Sequence, residues 1–130
     1  MSIVFKREGA VVSLVGEAPE DERDGERYVE ALTRISAERG PFVLLIDIRV
    51  EINMTHDQRK VQNLWYKRDR KLVESLCRAC SLVRPAADEK MQEVWQSLFD
   101  FPLLVTRERS SADAFLKPYC EAIASGSARA

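Results

Sequence analysis

The chain has 130 residues, 45% apolar and 32% charged, which is core-forming material for one compact domain and not for two. Twenty Lys and Arg against twenty-one Asp and Glu leave a net charge of −1, which argues against a dedicated polyanion binder, and three Cys are too few for a disulfide framework. No apolar run approaches the roughly 18 residues of a bilayer span. The start MSIVFKREG carries charges where an export signal needs apolar residues, so a cytoplasmic chain with no membrane span is expected.

Ile3 to Arg7 and Val11 to Gly16 are β-prone runs separated by Glu8, Gly9 and Ala10, which predicts an opening hairpin with the glycine in its turn. After the acidic stretch Glu17 to Glu26, Tyr28, Leu32 and Ile35 recur at helical spacing. That helix is expected to end at Arg39-Gly40-Pro41, with Gly as its cap. Phe42 to Ile48, FVLLIDI, is apolar apart from one carboxylate, the pattern of a strand covered on both faces and hence of the sheet's centre. Thr55 to Gln58 has the T-x-x-Q spacing of a capping box and opens a helix of about twenty residues. Val61, Leu64, Trp65, Leu72 and Leu76 are taken as its inner face. Ala79 to Val83 reads as the next strand. Met91, Val94, Trp95, Leu98 and Phe99 then mark a packed amphipathic helix with Asp88 as its N-cap. Pro102 ends it, Leu103 to Thr106 forms a last strand, and Ser110-x-x-Asp113 opens a last helix with Ala112, Phe115, Leu116, Tyr119 and Ile123 inward. Pro118 is expected to bend that helix.

The order ββαβαβαβα predicts one α/β domain over residues 1–124, with a mostly parallel sheet of four or five strands flanked by about four helices. Only the first strand need run antiparallel. Residues 125–130, SGSARA, read as a disordered tail.

FVLLIDI followed by a long basic helix, then CRACSLVRP and a Trp-bearing helix, resembles the STAS-like family, the bacterial anti-sigma-factor antagonists and their uncharacterised relatives, over roughly Val4 to Ile123. In the regulatory members a Ser or Thr at the start of the second helix is phosphorylated by a partner kinase and controls docking. The resemblance maps that position onto Thr55. Relatives with a longer, Arg-rich second helix are closer in pattern and share their fold with lipid-carrying proteins.

Ligands of open α/β sheets gather at the carboxyl ends of the strands, which makes Asp47, Asn53, Thr55, His56, Asp57 and Arg59 the candidate interaction and phosphorylation site. A phosphate on Thr55 would meet a helix N-terminus, with His56 and Arg59 close by; the competing reading makes Thr55 an N-cap satisfied by Gln58. Asp47 either orients the loop beyond it or accepts local N–H bonds. Arg68 falls in the middle of the apolar stripe of the second helix. It either forms a buried ion pair with Asp47 or runs out to solvent along Trp65.

Arg59 to Arg78 contains seven Lys or Arg against Asp69 and Glu74, whereas residues 17–26 hold six acids and one Arg. This dipolar layout suits an acidic partner protein or self-association. Nucleic-acid binding through WYKRDRK is disfavoured by the balanced charge and the lack of a reader motif. Cys77-Arg-Ala-Cys80 is expected to supply two buried small hydrophobes, since i and i+3 on a strand point to opposite faces. One His and three Cys make a closed metal site improbable, no nucleophile elbow or phosphate loop is present, and no cofactor is expected. The expected function is therefore a non-enzymatic module that docks a protein around the start of the second helix. The alternative is carriage of a lipid-like small molecule in a pocket lined by Trp65, Trp95, Phe99 and Phe115.

Overall fold

The computed structural model describes residues 2–17, 22–49, 52 and 54–126. Strand β1 (Ser2–Glu8) and strand β2 (Val11–Glu17) form a hairpin in which Gly9 takes φ 58°, a conformation without steric cost only for glycine. Helix α1 (Asp24–Ser36) ends four residues before Gly40, so that glycine is not its cap; with φ 77° it turns the chain into strand β3 (Phe42–Ile48). Arg7 anchors the intervening segment. Its Nη1 donates to Glu38 Oε2 at 3.0 Å and to the Arg39 carbonyl at 3.1 Å, and its Nη2 donates to the Pro41 carbonyl at 3.0 Å.

Helix α2 (His56–Leu76), strand β4 (Cys77–Val83), helix α3 (Glu89–Leu98), strand β5 (Leu103–Thr106) and helix α4 (Arg109–Ala124) complete the chain. The strands lie in one sheet in the order β1-β2-β3-β4-β5. β1 runs antiparallel to β2, while the β2–β3, β3–β4 and β4–β5 pairs are parallel. The sheet is therefore mixed, where a mostly parallel one was expected; the tight hairpin requires the reversal, because a short turn cannot join parallel strands. All seven residues of β3 are buried, as befits the middle strand.

Strands in chain order joined by right-handed crossovers carry every intervening helix to one side. α1, α2 and α3 accordingly lie on the side of Phe42, Leu44, Ile46 and Leu82, and α4 covers Val43, Leu45, Ala79 and Val83 on the other. On the α4 side the residues are small and the fit is close: Ala79 and Ala112 are fully buried, and the buried Ser81 hydroxyl donates to the Ala112 carbonyl at 3.1 Å. α4 starts at Arg109 and not after a Ser110 cap, because the Asp113 carboxylate that would close that capping box accepts instead from Arg109 Nε at 3.1 Å. Pro118 sits inside α4 on its exposed side, where the Ala114 carbonyl it leaves without a donor faces water.

α3 is placed by two glutamines one turn apart. Gln92 donates to the Leu103 carbonyl (2.6 Å) and accepts from the Val105 N–H (2.8 Å); Gln96 accepts from the Leu103 N–H (2.9 Å) and donates to the Phe101 carbonyl (2.8 Å). These side chains occupy the open edge of β5, which would otherwise invite another strand. Turning Gln92 and Gln96 toward the edge turns Val94 outward to 52% exposure, and no residue of α3 is fully buried. The packed helix read from the apolar spacing is thus a half-covered one, drawn to the margin of the sheet. Residues 127–130 of the expected tail lie outside the described residues.

Candidate functional site

α2 begins as expected. Thr55 Oγ1 accepts from the Gln58 N–H at 3.1 Å, and Gln58 Oε1 accepts from the Thr55 N–H at 2.9 Å, a complete capping box. Thr55, His56, Asp57 and Arg59 are all exposed. Asn53 lies outside the described residues.

Asp47 is buried, but on the α4 side of the sheet. It accepts from Arg49 Nε at 2.9 Å and from Arg109 Nη1 at 3.3 Å. Arg68 does not reach it: its side chain is 70% exposed, and its Nε and Nη2 donate to the two oxygens of Asp69 at 3.0 and 3.1 Å. That hydrogen bond, with the Ser36 hydroxyl assisting, holds the Asp69 carboxyl below its usual range against a smaller opposing effect of burial. The expected Arg68–Asp47 pair fails for a geometric reason. α2 is rotated so that Gln62, Trp65, Asp69 and Val73 face inward, with the Trp65 indole N–H donating to Ser36 Oγ at 2.6 Å, and Val61, Leu64 and Leu72 are left exposed on the side of Arg68. The same rotation takes the Trp of WYKRDRK into the core, and the Tyr66 hydroxyl donates to the Leu98 carbonyl, so neither ring is presented as a stacking surface.

Because α2 packs on α1 while α3 is held at the sheet edge, a space remains above β3 and β4. Its inner part is a cavity of about 150 Å³. Leu44 and Ile46 of β3, Cys80 and Leu82 of β4, Tyr28 and Leu32 of α1, and Trp65 of α2 wall it, and Phe99 and Phe101 close the far end. The last two rings stack with centroids 4.8 Å apart, and the Tyr66 ring meets Phe99 edge-on at 5.5 Å. Phe115 takes no part; it packs beside Tyr119 on the α4 side.

Toward the carboxyl ends of the strands lies a wider chamber of about 510 Å³. Tyr28, Gln62 and Trp95 line both spaces. Arg49 and Arg84 line the chamber and, among the described residues, no Asp or Glu does; the guanidinium of Arg49 is taken up by Asp47. Arg84, which follows β4, is half-buried; its Nη1 donates to the Ile48 carbonyl (3.1 Å) and the Val83 carbonyl (3.2 Å). Burial lowers its pKa, a shift that Tyr28, Cys80 and Asp47 only partly oppose. Burial likewise raises that of the Tyr28 hydroxyl, against the pull of Arg84.

Arg84 was missed in the sequence, where Arg-Pro after an apolar run reads only as the end of a strand. The signal was available: a cation directly after an inner strand of a parallel array sits where such sheets meet their ligands.

Cys77 and Cys80 are both buried, yet not on opposite faces. A bulge places four residues of β4 (77 to 80) against three of β3 (Phe42 to Leu44), so both thiols enter the core beneath α1 to α3. Burial pushes the Cys77 thiol up to about 12 and raises Cys80 well above its usual value, which disfavours the nucleophilic thiolate. Among the described residues no cluster of three or more His, Cys, Asp or Glu is placed to hold a metal ion, and no helix is long and apolar enough to cross a membrane.

No protein-family model, curated protein or solved structure matches this chain. The reading of the site rests on its geometry.

Proposed function

We propose that this chain is a non-enzymatic binding module that holds a small, largely apolar molecule between the sheet and α1, α2 and α3. The observation that carries this reading is the aromatic-walled cavity adjoining an open chamber. A mainly apolar space of about 150 Å³ suits an apolar guest, and the adjoining 510 Å³ is in the range, roughly 300–1,000 Å³, of ligand pockets. The two tryptophans of the chain, Trp65 and Trp95, both line the cavity and report on it. Titration with decanol is expected to change their emission saturably, and Leu44→Phe, which fills the cavity from β3, is expected to abolish the change. An emission that never saturates, or that responds equally in Leu44→Phe, overturns the reading.

A second reading, docking of a protein partner on α2, is favoured by the exposed apolar stripe of Val61, Leu64 and Leu72 and agrees with the likeness to STAS-like regulators. Lys60 and Lys67 on the same helix suit an acidic partner. This surface is separate from the cavity, and the two roles are compatible.

A further inference from the structure

The chamber contains an arginine whose bonding is incomplete in one specific direction. A guanidinium offers a fork, the Nε–Nη2 edge, that fits both oxygens of a carboxylate. Among the described residues, Arg49 and Arg68 use it in that way: Arg49 gives Nε and Nη2 to Asp47 at 2.9 and 3.3 Å, and Arg68 gives the same pair to Asp69 at 3.0 and 3.1 Å. Arg84 differs. Its Nη1 is held by two backbone carbonyls, which fixes the plane of the group, while among the described residues its Nε–Nη2 edge has no partner and no carboxylate forms a salt bridge with it. Tyr28, which lines the chamber beside it, also has a hydroxyl without a hydrogen-bond partner among those residues. Asp47 acts on Arg84 only from beyond salt-bridge distance, and a half-buried cation gains from a carboxylate in direct contact with its open edge.

We infer that the occupant of this site is an anionic amphiphile, a carboxylate on an aliphatic chain, whose head group bridges the Nε–Nη2 edge of Arg84 and the Tyr28 hydroxyl and whose tail enters the aromatic cavity. This rests on the cavity reading proposed above and adds the charge of the ligand to it. The layout gives each part a matching surface. The chamber, with the open edge of Arg84 and no carboxylate among its described lining residues, takes the head; the cavity, whose lining has no charged side chain, takes the tail past Trp95.

The experiment compares three probes of one chain length, decanoate, decanol and decylamine, by calorimetry on the intact chain and on two variants. Decanoate is expected to bind about tenfold more tightly than decanol, the effect of one charge-assisted bidentate contact, and decylamine most weakly. Arg84→Gln should bring decanoate down to the level of decanol without moving decanol, and Lys71→Gln, on the exposed side of α2, should change neither. Equal affinity for decanoate and decanol in the unaltered chain overturns the anionic head group and leaves the cavity reading standing. Failure of all three probes to bind overturns the cavity reading and this inference with it. A loss in Lys71→Gln as large as in Arg84→Gln places the acid on the surface of α2 and also overturns the inference. The unaltered chain decides between the head groups even if Arg84→Gln does not fold.

Discussion

The two faces of the sheet solve the same burial problem differently. On the α4 side one helix is enough, because Ala79, Ser81 and Ala112 are small, the backbones come close, and Ser81 ties the helix to the strand through a single buried hydrogen bond. On the other side three helices carry Tyr28, Trp65, Trp95 and Phe99, much more apolar surface, yet they leave a void. The difference teaches that side-chain bulk does not by itself fill a core. α3 is fixed by Gln92 and Gln96 to the β5 edge, and the hydrogen bonds that protect that edge hold the helix away from α2.

The thiols sharpen the comparison most. Cys77 and Cys80 lie beneath the three helices and Cys120 on α4. The folded chain holds the Cys77 proton to about 12, whereas an unfolded thiol releases its proton near 9. Because the folded pKa is the raised one, this contribution to stability is complete below pH 9 and is lost as pH rises from 9 towards 12. The loss should reach a few kcal/mol at the top of that window. Urea midpoints across alkaline pH should fall steeply for the unaltered chain and less steeply for Cys77→Ala; parallel curves would show that the Cys77 thiol is not shielded.

Enlarging one side chain on each face tests the packing directly. Ala112→Leu on the close-fitted face should destabilise by about 1–3 kcal/mol through overpacking. Leu44→Phe, facing the void, should leave the melting temperature unchanged or higher, since the added ring has space to occupy. Equal losses at both positions would break the contrast.

The smallest effects belong outside both faces. Leu64→Ser and Arg68→Leu on the outward side of α2 should shift stability by no more than about 0.5 kcal/mol in thermal melts. A large drop would mean that this side of α2 is buried.

Much of this architecture could be read from local patterns. The capping box at Thr55 and Gln58, the Asp88 cap of α3 and the uninterrupted FVLLIDI strand each state their structure within a few residues, and each forms as read. What resisted was rotation about a helix axis. On α2 the apolar series 61, 64, 68, 72 lies beside the series 58, 62, 65, 69, 73, and the two share neighbouring positions. The contact of Trp65 with Ser36, 29 residues away in the chain, selects the second and turns Leu64 and Arg68 to solvent. The same limit hid the site. Three of the four aromatic residues expected to line a pocket do so, but the exclusion of Phe115, the location of Asp47 behind the sheet and the free edge of Arg84 depend on which face each element presents. That is a property of the assembled layers and not of any one segment.

Because each strand lies beside its predecessor in the chain, no later segment has to insert between two earlier ones. A ribosome can therefore release this sheet in the order in which it is laid down, each βα unit docking on an edge already formed, a vectorial route with short loop closures. α4 emerges after all five strands, and until it arrives Val43, Leu45, Ala79 and Val83 stay uncovered. The back face is thus closed by a single helix only after the five strands are laid down, and in the interval before that a nascent chain exposes an apolar surface prone to aggregation.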